Sequence, residues 1–196
     1  MRTPRPDELP DNPEVHERIK AMEKANIVEG YTLQENADID LPFKFYAEIN
    51  IDNSRLWDLI KAILQLMPDE VSVIYNRFEA EANYSPYLRK RQVRELLSKY
   101  KTEICQDCNL EFGIIHHTEE GLEELFVSES KYVKFWGCTE APFRTLLAEM
   151  NLKEIPGLNF ADEFPKVVEP LAGINPLVRA TDVLLLEWQA FFDATE

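Results

Sequence analysis

The strongest constraint on the fold is the segment FKFYAEINI at 43–51, in which apolar and polar residues alternate. The odd-numbered positions are all apolar, whereas the even-numbered positions carry Lys44, Tyr46, Glu48 and Asn50. Because successive side chains of a strand point to opposite faces, this pattern predicts a half-buried β-strand. A strand with one apolar face must pack against another layer, so we expect a covered sheet.

An amphipathic helix is predicted directly after this strand. Its cap is Asn53 or Ser54, it stops at Pro68, and its apolar residues recur at steps of three and four: Leu56, Leu59, Ile60, Ile63, Leu64 and Met67. Segments rich in β-forming residues predict further strands at 71–78, 110–117, 122–127 and 131–136. The last two are expected to form a hairpin through the polar turn 128–130.

Other helices are predicted from their first residues. The pairs Asn12-Pro13, Ser85-Pro86 and Asn175-Pro176, and the single residue Thr139, are typical of helix starts. The last of these helices carries a wide apolar stripe, formed by Leu177, Leu184, Leu185, Trp188, Phe191 and Phe192.

This order of elements predicts an α+β fold with a mostly antiparallel sheet of about five strands and helices packed on it, because the strands are short and sequential. We expect an extended N-terminal arm at 1–13, where prolines recur among polar residues. The α+β domain then spans 14–173, and a C-terminal amphipathic helix at 174–196 docks on it.

The net charge restricts the class of partner. The chain has 36 acidic and 21 basic residues, which gives a formal charge of −15. Such a surface repels nucleic acids and anionic lipid and attracts basic proteins. The first residues lack the apolar run of a signal peptide, and three cysteines fit a reducing compartment, so a cytoplasmic location is expected, with no membrane and no nucleic-acid partner.

The acidic residues are concentrated in one segment. Residues 103–130 contain eight acids and no lysine or arginine, whereas 87–101 contain six bases and one acid. The segment is either a solvated face or, at a strand edge, a docking surface for a basic protein. In the second case the candidate partner-binding residues are Glu111, Glu119, Glu120, Glu123, Glu124 and Glu129.

The segment CQDCNLEFGIIHH at 105–117 raises the question of a metal site. Cys105 and Cys108 could supply two zinc ligands, but His116 and His117 are adjacent on a predicted strand and point to opposite faces, so at most one can join them. Cys138 is the remaining possible ligand. Structural roles explain these residues more simply, so no metal and no cofactor are expected, although binding by Cys105, Cys108 and His117 stays open.

Two other functions compete with a binding module. Cys138 precedes a predicted helix start, where the helix dipole favours a thiolate, and it could form a cysteine-dependent enzyme with His116 or His117. The sequence offers no orienting group, so we expect no catalytic residues and no enzymatic activity. The third alternative is a structural protein that self-associates through its C-terminal helix; the oligomeric state stays open.

A resemblance to a known class of proteins also predicts a basic protein partner, as the net charge does. The resemblance lies in the stretch ELFVSESKYVKFWG, the helix FRTLLAEMNL and the stretch IPGLNFADEFPKVVEPL. With these stretches, residues 43–171 resemble small cytosolic immunity-type proteins of bacterial toxin systems. The resemblance implies a single acidic α+β domain that binds and blocks a toxin by occlusion, without turnover. It transfers no binding residue to this chain.

Overall fold

The computed structural model describes residues 1–195 and has an α+β fold. Within these residues the sheet consists of β1 (Gly30–Glu35), β2 (Phe45–Asn50), β3 (Glu70–Arg77), β4 (Asn83–Tyr84), β5 (Leu88–Arg89), β6 (Leu110–Thr118), β7 (Gly121–Val127) and β8 (Val133–Gly137). The helices are α1 (Pro13–Met22), α2 (Asn53–Leu66), α3 (Lys90–Ser98), α4 (Lys101–Gln106), α5 (Glu140–Glu149), α6 (Leu171–Ile174) and α7 (Thr181–Asp193), with 3₁₀ turns at Pro6–Glu8 and Ala161–Glu163.

All strand pairs of the sheet are antiparallel, and the strand order is β1-β2-β8-β7-β6-β3-β4, with β5 paired to β3. The α+β class and the mostly antiparallel sheet are therefore confirmed. The expected number of about five strands is wrong, because the sheet has eight. The strand β1 alternates over only the four residues Tyr31 to Gln34, and β4 and β5 have two residues each, so these segments are too short to show a clear period.

The predicted helix starts at Asn12-Pro13 and Thr139 are confirmed, those at Ser85-Pro86 and Asn175-Pro176 are shifted, and α2 is capped by Asp52 rather than by Asn53 or Ser54. Asn12 caps α1, since its Oδ1 accepts the amide of Glu14 at 2.9 Å. The helix expected at Ser85-Pro86 begins only at Lys90, because Ser85 Oγ accepts the amide of Val73 at 2.8 Å and holds this segment against β3.

The last helix begins at Thr181, not at Asn175-Pro176. Asn175 instead forms a local turn in which its Oδ1 accepts the amide of Leu177 at 3.1 Å. The side chain of Leu177 is 92% exposed, so it does not belong to the apolar stripe. Leu184, Trp188 and Phe192 of that stripe are buried, and α7 packs against β3.

The main core lies on one face of the sheet, the covered face. The buried cluster there joins alternate strand residues, such as Ala47, Phe135, Leu125, Ile114 and Val73, to side chains of α2, α3, α4, α5 and α7. At the N-terminus, the backbone of Arg2 pairs with Val167. None of the helices within residues 1–195 is long and apolar enough to cross a membrane.

Candidate protein-binding face

The six candidate acids do not share one surface. They were expected at a strand edge, and this is wrong, because β6 and β7 are interior strands with β3 and β8 on either side. The alternation of the strands also separates neighbouring residues. Glu123 lies opposite His116, in line with the covered face, whereas Glu124 lies opposite Ile115 on the other face.

Other acids of the segment are used within the fold. Glu129 is 8% exposed and pairs with the amine of Lys166. Burial raises its pKa, but its hydrogen bonds with Lys166 and Ser130 prevail and keep the pKa below the usual value. The carboxylate of Glu111 accepts a hydrogen bond from Asn76 Nδ2 at 2.8 Å.

Two buried acids, Glu103 in α4 and Asp107 directly after it, accept hydrogen bonds from residues at or just before the start of α7. Asp107 is 1% exposed, and its Oδ2 accepts a hydrogen bond from Thr181 Oγ1 at 2.6 Å. Glu103 is 4% exposed, and its Oε1 accepts the amide of Arg179 at 3.0 Å. These carboxylates therefore stabilise the fold and are not available to a partner.

Glu119 and Glu120 are exposed in the β6–β7 turn, and the β1–β2 loop lies beside it. The amide of Leu122 donates to the carbonyl of Pro42 at 2.6 Å, which ties the loop to the hairpin. This loop contributes the exposed residues Asp38 and Asp40. We call the four exposed carboxylates of Asp38, Asp40, Glu119 and Glu120 the acidic tip.

The acidic tip also presents an apolar side chain. Ile39 is 88% exposed between the two aspartates. The loop that carries it is internally bonded: Asn36 Nδ2 donates to the carbonyl of Phe43 at 2.8 Å, and the amide of Asp40 donates to Asp38 Oδ1 at 3.0 Å. A large apolar side chain is thus held in solvent on an ordered loop, next to carboxylates.

The second exposed feature is the face of the sheet opposite the covered face, which we call the open face. One cross-strand row on it consists of Tyr46, Trp136, Glu124 and Ile115, all half-buried and none part of the main core. The rings of Tyr46 and Trp136 pack with their centroids 4.9 Å apart. Phe126 lies in the next row, where a Cβ atom at Gly113 would approach its ring to 3.0 Å.

Burial changes the ionisation of the carboxylates on the β7 strand. It raises the pKa of Glu124, and among the described residues no charged neighbour or hydrogen bond acts against it. It also raises the pKa of Glu123, which the facing His116 partly offsets. The pKa of Tyr46 is raised, first by burial and then by the carboxylate of Glu48.

The cysteines and histidines of 105–117 are spread over several environments. Cys105 lies in α4 and Cys108 just before β6, both buried, and burial raises the pKa of the Cys105 thiol. His116 is half-buried and His117 is exposed, in agreement with the prediction that they point to opposite faces. Within residues 1–195, no group of three or more histidine, cysteine, aspartate or glutamate side chains is placed to hold a metal ion.

Two backbone carbonyl oxygens, and no basic side chain of residues 1–195, form the hydrogen bonds of Cys138, the nucleophile of the enzymatic alternative. Cys138 Sγ lies 3.5 Å from the carbonyl oxygen of Leu122 and 3.6 Å from that of Pro42. Strand β7 separates β8, which Cys138 follows, from β6, which carries both histidines. His116 Nδ1 instead lies 2.8 Å from the carbonyl oxygen of Glu70.

No family model matches the chain, and no curated protein or solved structure is significantly similar to it.

Tyr46 and Trp136 were not among the candidates predicted from sequence. The sequence does contain a sign of them, since each is an aromatic residue at a polar position of an alternating strand, in FKFYAEINI and in YVKFWG. An aromatic side chain on the side that should face water is a feature to test for binding.

Proposed function

We propose that this chain is a non-enzymatic protein-binding module that binds a basic protein and occludes it, in the manner of an immunity protein that blocks a bacterial toxin. The observation that carries the proposal is the junction of two exposed features at the β6–β7 hairpin. Its turn contributes to the acidic tip, and its strands carry Glu124 and Ile115 of the open face.

The acidic tip suits the first step of association, long-range attraction, and the open face suits the second step, close contact. Exposed carboxylates at a net charge of −15 attract a basic partner over several ångströms and raise the association rate. The half-buried aromatic side chains of Tyr46 and Trp136, and the exposed Ile39, supply apolar area of the kind that forms the centre of protein interfaces. A nuclease toxin needs a basic surface for its substrate, and an acidic module can cover it.

The proposed location is the bacterial cytoplasm. The three cysteines of the chain carry free thiols, which is typical of proteins in reducing compartments.

The test uses matched charge reversals. The variant Asp40→Lys/Glu119→Lys/Glu120→Lys changes three exposed acids of the acidic tip, and Glu17→Lys/Glu23→Lys/Glu149→Lys makes the same change in net charge at exposed sites elsewhere. Asp38 is left intact because its side chain holds the loop. Basic proteins captured at low salt with the parent chain are identified, and their association rates with each variant are measured.

We expect the tip variant to associate at least about tenfold more slowly at low salt, with the difference shrinking at 1 M salt, where the Debye length is only ~3 Å. The association rate of the control variant should fall much less. A toxic partner should also lose its toxicity when the parent chain is co-expressed. Equal association rates for the two variants would show that the acidic tip is only a solvated surface.

A further inference from the structure

One carboxylate on the open face is partly buried and has no partner in the part of the chain that the structure describes. Glu124 lies in β7 with Ile115 opposite it in β6 and Trp136 opposite it in β8. Within residues 1–195 no side chain forms an ion pair or a hydrogen bond with its carboxylate. Removing a carboxylate from water without pairing it costs free energy in the isolated protein.

The lysine that lies diagonally across from Glu124 on the open face is directed elsewhere. Lys134 lies on the same face of β8 as Trp136, but its amine is 5.3 Å from the centroid of the Tyr132 ring. Glu124 is thus a half-buried anion on a face that points to solvent, and its charge is free to pair with a cation from outside the chain.

An aromatic pair lies directly beside this anion. The rings of Tyr46 and Trp136 are inclined at 38° to each other. Directly opposite residues of antiparallel strands have Cα atoms only ~4.5–5.5 Å apart, so the indole of Trp136 and the carboxylate of Glu124 are neighbours on the surface. A cation within ~6 Å of an aromatic ring centroid is attracted to the ring face.

We propose that Glu124, Trp136 and Tyr46 form a receptor for one arginine side chain of the basic partner. The inference rests on the proposed function, because the partner supplies the arginine. A guanidinium group fits better than an ammonium group because it is planar, stacks on an aromatic ring and can donate two parallel hydrogen bonds to one carboxylate. Ile115 and Phe126 flank the position and would exclude water from the bound pair.

The site can be tested without the natural partner. Hexa-arginine and hexa-lysine carry the same side-chain charge, and their affinities for the full chain are measured by titration calorimetry. Trp57 is 7% exposed and Trp188 is 0% exposed, so tryptophan emission responds mainly to ligands at the half-buried Trp136. The Glu124→Gln variant removes the charge and keeps the shape, and Glu119→Gln/Glu120→Gln removes two nearby charges from the acidic tip.

We expect hexa-arginine to bind the parent chain about tenfold more tightly than hexa-lysine and to change the tryptophan emission. Glu124→Gln should weaken hexa-arginine binding about tenfold and abolish most of the preference, since a charge-assisted hydrogen-bonded pair is lost. The variant Glu119→Gln/Glu120→Gln should lower the affinity for each peptide by only about two- to threefold, as expected for exposed charges.

The receptor is excluded if the parent chain binds neither peptide, if it binds both equally, or if the double tip variant loses as much affinity as Glu124→Gln. These results do not depend on the association experiment with the captured protein. An arginine preference lost in Glu124→Gln, combined with equal association rates for the tip variants, would support the receptor and contradict the role of the acidic tip.

Discussion

The two faces of the sheet use the same strands but differ in what their side chains do. On the covered face, alternate residues such as Phe135 and Ile114 are buried against helices. On the open face, their neighbours Trp136 and Ile115 are half-buried and lie outside the main buried cluster. The covered face therefore carries the main core, whereas this row of the open face carries aromatic side chains and a carboxylate that is unpaired within the described residues.

The comparison is tested most strongly by making the same substitution on each side of the sheet. Trp188 of α7 is fully buried, with ring centroids 5.8 Å from Tyr100 and 6.0 Å from Tyr75. Trp188→Ala should lower the free energy of unfolding by ~3–5 kcal/mol because it leaves a large cavity. Trp136→Ala should lower it by only ~1–2 kcal/mol, because the indole is half-buried and loses mainly its packing on Tyr46. Urea unfolding measures both, and similar losses would mean that the open face is also core.

The second test compares a buried acid with an exposed acid of the same segment. Asp107 accepts hydrogen bonds from Thr181 Oγ1 and from the amide of Asn109, at 2.6 and 3.1 Å. Asp107→Ala leaves these donors unpaired and should cost ~2–3 kcal/mol of unfolding free energy. Glu120→Ala, in the exposed turn, should change it by less than ~0.5 kcal/mol. If Asp107→Ala is equally mild, the buried carboxylate does not anchor the C-terminal helix.

The sequence predicted which side of a strand each residue faces better than it predicted where each strand lies in the sheet. The alternation in 43–51 correctly separated Ala47 and Ile49 from Tyr46 and Glu48, because the period of a strand is a local property. The order of strands depends on pairings between distant segments, so the central place of the 110–127 hairpin was missed. Likewise, nothing local to Asp107 indicates that Thr181 lies beside it.

A third prediction concerns a buried base on the covered side. Lys131 is 4% exposed with its amine 2.6 Å from the carbonyl oxygen of Leu110, and burial lowers its pKa to about 8. Between this value and the ordinary 10.5, the unfolded chain binds more protons than the folded chain. The free energy of unfolding should therefore rise as the pH increases from 8 to 10.

The Lys131→Met variant serves as the control, since it keeps the length of the side chain and removes the titrating amine. The parent chain should gain stability relative to this variant as the pH increases from 8 to 10, measured by urea unfolding at several pH values. A constant difference would mean that Lys131 is not held in a desolvated position.

The smallest expected effect tests the open face itself. Burial raises the pKa of Glu124 in the folded protein, so the folded chain binds more protons than the unfolded chain as the pH rises above the ordinary value of 4.5. The parent chain should therefore lose stability as the carboxyl group ionises, whereas Glu124→Gln should not show this loss. We expect the variant to be slightly more stable than the parent at pH 7, with the difference disappearing below about pH 4, where the carboxyl group is protonated in both states. Glu119→Gln, in the exposed turn, should differ from the parent by less than ~0.5 kcal/mol at every pH. If Glu124→Gln gains stability while it loses affinity for arginine, Glu124 is retained for binding at the expense of folding. If Glu124→Gln is less stable than the parent at pH 7, this carboxylate has a structural partner and the open face is not a free surface.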